Sequence, residues 1–142
     1  YQSALRRFKL SKDALSQGFL KEAAFDCHQA TEFLFHCCLL VCSFYSPHSH
    51  NLAFLRTQAE RVDQRLAGVW PCSNRKERAM FEKLKAAYIK ARYSKHYQVS
   101  AEELAWLGAR IEDLALLVET VCSERISQLQ DAVDRTGDAI CK

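Results

Sequence analysis

Glycine and proline are scarce: a chain of 142 residues carries four of one and two of the other. That scarcity excludes a loop-rich architecture, and with 49% of the residues apolar it points to compact helices. A large charge of one sign is also lacking. The net is only +3, so a nucleic-acid partner cannot be argued from the total. Long hydrophobic runs are missing too. The longest, Phe33 to Phe44, is too short to span a bilayer and contains His36, so no membrane role is expected. No signal peptide, internal repeat or low-complexity linker is visible. Residues 1–142 are enough for one domain with a core that needs no staples. The chain starts at Tyr1 rather than Met, so it is expected to be the C-terminal part of a longer protein.

Cysteine is not scarce, but its seven copies (27, 37, 38, 42, 72, 122 and 141) are odd in number and form no C-x-x-C pair. Cys27, Cys37, Cys38 and Cys42 fall in one apolar segment, where a thiol behaves as a small hydrophobe. Adjacent helical residues point about 100° apart, which disfavours a Cys37–Cys38 bridge. Reduced core thiols in a cytoplasmic protein are expected rather than disulfides or zinc.

Five helical segments are present and no strand alternation. Leu5, Phe8, Leu15 and Phe19 mark an amphipathic first helix, weakened by Gly18. A long second helix runs from about Leu20 to Phe44. Ala23, Cys27, Ala30, Leu34, Cys38 and Val41 line one face, while Phe33, Leu40 and Phe44 add a second apolar side; this helix belongs at the centre. Ser46-Pro47 stops it. Leu52, Leu55, Ala59, Val62 and Leu66 describe a third helix ending at Gly68, followed by a turn at Val69-Trp70-Pro71. Ser73 or Asn74 caps the fourth, with Glu77 placed to reach back to Asn74, and its buried stripe is Met80, Leu84, Ala87, Tyr88 and Ala91. Ser100-Ala101-Glu102-Glu103 opens a fifth helix on Leu104, Leu107, Ile111, Leu114, Val118 and Val121. Ile126, Leu129, Val133 and Ile140 continue a weaker pattern that can supply a dimer surface, and Trp70 and Trp106 are core or interface. The fold expected is an all-α, antiparallel up-and-down bundle of four to five helices.

What is concentrated is the position of the positive charge. Arg75, Lys76, Arg78, Lys83, Lys85, Lys90, Arg92 and Lys95 stand against only Glu77 and Glu82, so residues 75–96 carry +6 and the remainder −3. Lys83, Lys85, Lys90, Arg92 and Lys95 can supply a field for an anion, and Tyr88, Tyr93 and Tyr97 offer faces for base stacking. The plainer alternative is a solvated face whose long cations cover an apolar stripe, with Tyr88 in the core. On the second helix Gln29, Glu32 and His36 share a face, and His28 lies four residues before Glu32. An inter-helix structural bridge without a ligand is the expected role; His28, Glu32 and His36 are not expected to hold a metal, since no third ligand is apparent. His48 and His50 fall in a turn, where Ser49 or Asn51 caps the next helix.

Three motifs carry a resemblance. Phe25-Asp26-Cys27-His28-Gln29-Ala30-Thr31-Glu32-Phe33-Leu34 resembles the hQAaE-x-hL signature of the HEPN family, with Thr31 where alanine is usual. His50-Asn51-Leu52 is similar to its H-[DN]-L helix start, and Tyr88-Ile89-Lys90-Ala91-Arg92-Tyr93 to its Y-x-x-A-R-Y helix end. The resemblance spans nearly the whole chain. It implies a bundle that commonly dimerises, a fourth-helix exit lining a polar groove, and a nucleotidyltransferase domain as partner in cis or trans. It also implies that Gln29 and Glu32 are interior polar groups facing that exit, with Glu32 pairing Arg92. Some branches are metal-independent endoribonucleases, toxin-like, using an Arg and a His separated by four to six residues. Arg92 and His96 have three between them. Lys90 and His96 have the spacing, but a Lys lacks the bidentate contact of a guanidinium.

The reading that results is a cytoplasmic, homodimeric, non-catalytic accessory domain. It binds a nucleotide or RNA phosphate through Lys83, Lys85, Lys90, Arg92, Tyr93, Lys95 and Tyr97, supported by Gln29 and Glu32, without metal or cofactor. The alternatives are an RNase using Arg92 and His96, paired on one face if the helix continues through its exit, and a purely structural dimerisation scaffold.

Overall fold

The computed structural model describes the backbone of residues 1–140 and the side chains of residues 1–136; Cys141 and the side chain of Ile140 lie outside the described residues. The described chain is helical, with α1 Gln2–Ser16, α2 Leu20–Ser43, α3 Leu52–Val62, a 3₁₀ segment Gln64–Val69, α4 Arg75–Tyr93 and α5 Ala101–Ile140. Helix α2 packs against α1, α3, α4 and α5, which makes it the axis of the bundle. Its inner faces are buried through Ala23, Ala24, Cys27, Ala30, Leu34, Phe35, Cys38 and Leu39. The second apolar side is less covered than expected, since Leu40 and Phe44 stand in solvent.

Local chemistry sets the boundaries. Gly18 takes φ +80 in the turn between α1 and α2, a conformation costly for residues with a Cβ. Helix α2 ends at Ser43, before the proline, because Phe44 adopts a left-handed conformation. The third segment is divided where one continuous helix was expected. Asp63 is extended and its carboxylate accepts from the Arg65 amide, so α3 stops at Val62 and a separate 3₁₀ turn begins. That break leaves Val62 exposed yet returns Leu66, Val69 and Trp70 to the core. Both expected capping boxes form: Asn74 with Glu77, and Ser100 with Glu103.

The stripe Leu104, Leu107, Ile111, Leu114, Val118 and Val121 of α5 is buried throughout. Beyond Cys122 the same helix stays tied to the bundle through Glu124 with Arg65 and Arg125 over the Phe44 ring, and it overhangs from residue 130 on, with Ile126 and Val133 exposed. Cys27, Cys38 and Cys122 are buried thiols, Cys37 and Cys42 are partly covered, and Cys72 is exposed; all six are free.

Candidate anion-binding groove and the Glu32 histidine cluster

Helix α4 carries the basic residues because its apolar stripe is narrow. Met80, Leu84, Ala87 and Ala91 face inward, and the positions on either flank remain for long cations. One flank, with the start of α3, forms a groove of about 450 Å³ lined by His50, Asn51, Leu52, Lys85, Ala86, Tyr88, Ile89 and Lys90. The other flank borders a groove of about 380 Å³ that includes Glu82, Lys83, Lys90, Ser94, His96 and Tyr97. Lys90 stands on the ridge between them. Two of the expected cations are already partnered. Lys83 Nζ donates to both Glu103 oxygens at 2.7 Å, and Lys85 Nζ to Glu82 Oε1 at 2.6 Å. Both pairs are solvent-reached, and screening leaves such contacts weak enough to exchange for a phosphate.

The exit of α4 does not unite Arg92 with His96. Ser94 is extended and ends the helix after Tyr93, so the two residues are not stacked on consecutive helical turns. The following strand of chain folds back, tied by Lys21 Nζ to the Ser94 carbonyl at 3.1 Å and by the Tyr97 hydroxyl to the Lys83 carbonyl at 3.1 Å. His96 therefore lines the Lys83 flank. Arg92 lies on the opposite flank, its guanidinium carbon 4.7 Å from the Phe25 ring centre, 4.8 Å from that of Tyr88 and 5.1 Å from that of Tyr93. Its Nε donates to the Tyr88 carbonyl at 2.9 Å. Tyr97 is buried, which removes its ring from any stacking role, whereas Tyr93 is 75% exposed and Lys95 is open to solvent.

Glu32 does not pair with Arg92. Its carboxyl group is only 3% exposed and is met from three sides by imidazoles. His50 Nδ1 lies 2.9 Å from Oε1, His36 Nε2 3.9 Å from Oε1, and His28 Nδ1 3.7 Å from Oε2. Gln29 Nε2 donates to Oε2 at 3.4 Å. A buried carboxylate needs such partners, because desolvation without them costs several kcal/mol (on the order of 3–5 when one partner is removed). His28 and His36 reach it by the four-residue helical repeat. His50 reaches it because the loop after α2 is pinned, with His36 Nδ1 2.6 Å from Ser46 Oγ and Nε2 3.1 Å from the Ser49 carbonyl. Asn51 then caps α3 by accepting from the Phe54 amide. Among the described residues no group of side chains has the arrangement to hold a metal ion.

Tyr88 joins the cluster to the groove. Its ring stacks on His50 with centres 4.7 Å apart and planes at 15°, tilts against His28 at 5.1 Å, and stacks on Phe25 at 6.2 Å. It is a half-buried hub, not a free platform. His28 has its pKa pushed down to about 4, first by burial, with the His50 ring and the Arg92 guanidinium adding to the depression and a His50 backbone group opposing it. It therefore sits neutral, and its Nδ1 has no hydrogen-bond partner. The role of His50 was not legible in the sequence, where it reads as a turn residue; its place in the H-[DN]-L motif was the only signal.

An all-α bundle whose central helix carries a buried Gln and Glu, beside a basic fourth helix, defines a class of small helical domains. The family comparison is specific: residues 1–121 match the HEPN domain, and the chain belongs to that family. The match ends at Val121, the last residue of the buried α5 stripe. No curated protein matches the chain. Among the described residues, no helix is long and apolar enough to cross a membrane.

Proposed function

We propose that the groove between α3 and α4 binds the phosphate group of a nucleotide or RNA, and that the domain acts as an accessory partner of a nucleotidyltransferase domain, in cis or in trans. The observation that carries this reading is the convergence on one groove of Lys85, Lys90, the imidazole of His50 and the amino end of α3. Arg92 supports it from behind Tyr88. Exposed Tyr93 remains as the aromatic face for a base. The separation of Arg92 from His96 weighs against the RNase pair expected on that exit. The far end of α5 supports homodimerisation, because Ile126, Leu129 and Val133 recur at three- and four-residue steps and Ile126 and Val133 stand in solvent. Free core thiols suit a cytoplasmic setting.

Titration of the protein with ATP, GTP and a short single-stranded RNA tests the groove. Saturable binding is expected to weaken steeply with salt. Lys85→Ala combined with Lys90→Ala should lower affinity about tenfold or more, the loss of one to two charge-assisted contacts, with the melting temperature unchanged. Equal affinity of the double variant and the parent rules the groove out.

A further inference from the structure

The Glu32–His50 contact has the geometry of a positioned base. A buried carboxyl group faces one nitrogen of an imidazole whose remaining edge is open, 60% of the side chain being exposed. An acidic oxygen 2.9 Å from Nδ1 fixes the proton on that nitrogen and leaves the Nε2 lone pair outward in the neutral ring. The ring cannot swing away, because Tyr88 stacks on it at 4.7 Å and Ser49 and Asn51 hold the backbone on either side. His50 lines the same groove as Lys85 and Lys90. Orienting carboxylate, imidazole with a free nitrogen, and cations within one groove form the arrangement in which a histidine removes a proton from a nucleophile.

We propose that His50 is a catalytic general base acting on a phosphate ester in this groove, and that Glu32 is its positioning residue. The inference rests on the groove reading above and adds turnover to binding. In the step, a hydroxyl gives its proton to His50 Nε2 while its oxygen forms a bond to phosphorus. The bond from phosphorus to the leaving oxygen breaks, and that oxygen takes a proton from solvent. The imidazolium, held by the Glu32 carboxylate, then returns its proton to water. Lys85 and Lys90 offset the charge on the phosphoryl oxygens. The chemistry is the same whether the hydroxyl is a ribose 2′-OH, giving a cyclic phosphate, or water, giving hydrolysis.

The test uses the whole chain in the presence of EDTA. Its substrates are a short single-stranded RNA, the same sequence as DNA, and ATP, with binding and product followed in the same samples. Cleavage of RNA but not DNA assigns the hydroxyl to the ribose, and release of phosphate from ATP assigns it to water. His50→Asn is expected to lower kcat about 100-fold or more, well beyond any loss of binding measured in the same samples. Asn keeps a side-chain N–H to offer Glu32 in place of the Nδ1 proton, so the variant should fold. Glu32→Gln should lower kcat with little change in KM and move the acidic limb of the pH–rate profile, the limb set by protonation of the base, and Glu32→Asp should restore part of both. A purely structural Glu32 would alter melting without moving the profile. Binding without turnover by the parent, or full activity in a folded His50→Asn variant, overturns the inference and leaves the groove standing. Neither binding nor turnover overturns both.

Discussion

His28 shows what burial does to a single titratable residue at the centre of this bundle. It is 1% exposed, with a pKa down at about 4 against an ordinary 6.5. Above pH 6.5 folded and unfolded chains both carry it neutral, and it does not affect the balance. Below that, the unfolded chain binds a proton that the folded one refuses, so stability falls between pH 6.5 and about 4, by roughly 3 kcal/mol across the window. Urea unfolding of His28→Gln at a series of pH values should show a flatter slope in that interval, and a slope equal to the parent's would refute the assignment. Arg92 makes the complementary point. Its position was legible from the motif, but its guanidinium also packs on Phe25, Tyr88 and Tyr93, so removing it disturbs packing and charge together. For that reason the test of the groove uses Lys85 and Lys90.

Among the elements, two glycines contrast. Gly18 sits at φ +80 with nothing near the place of a Cβ, so its cost on substitution is backbone strain alone. Gly108 lies within α5, and a Cβ there would meet the Phe8 ring at an ordinary 3.8 Å. Gly18→Ala should lose about 1 kcal/mol, from the left-handed penalty, and Gly108→Ala should gain about 0.5–1 kcal/mol of helix propensity. Chemical denaturation of the two variants decides the matter, since equal signs would contradict the conformations described. Sequence patterns located α1, α2, α4 and α5 well because their apolar repeats and caps are local. They missed the break at Asp63, where the apolar spacing runs on through Leu66 while a side-chain cap and an Arg65 ion pair redirect the backbone.

At the scale of the whole molecule, α5 divides into a part that completes the core and a part that overhangs it. Val118, Val121 and Cys122 are buried, while residues 130–136 are exposed without interruption. Ending the chain after Arg125 should change bundle stability by less than about 1 kcal/mol, because nothing buried is lost. If the overhang makes the dimer, the full chain sediments as a dimer and the shortened one as a monomer. A shortened chain that still dimerises places the contact on the bundle itself, where Leu40 and Phe44 also stand in solvent.

The sequence by itself determined the helical class, the central position of α2, both capping boxes, and the concentration of positive charge on α4. These follow from periodicity, from short-range capping chemistry and from composition, all of which act within a few residues. It also brought Gln29, His28, His36 and Glu32 onto one helix, a matter of spacing. Only the tertiary structure decided what those residues meet. It turned Arg92 onto aromatic rings, sent His96 to the other flank of α4, buried Tyr97, and delivered His50 across eighteen residues to Glu32. Each of those outcomes depends on where a loop folds back on a helix. That is set by the packing of distant surfaces, which no local pattern of residues records.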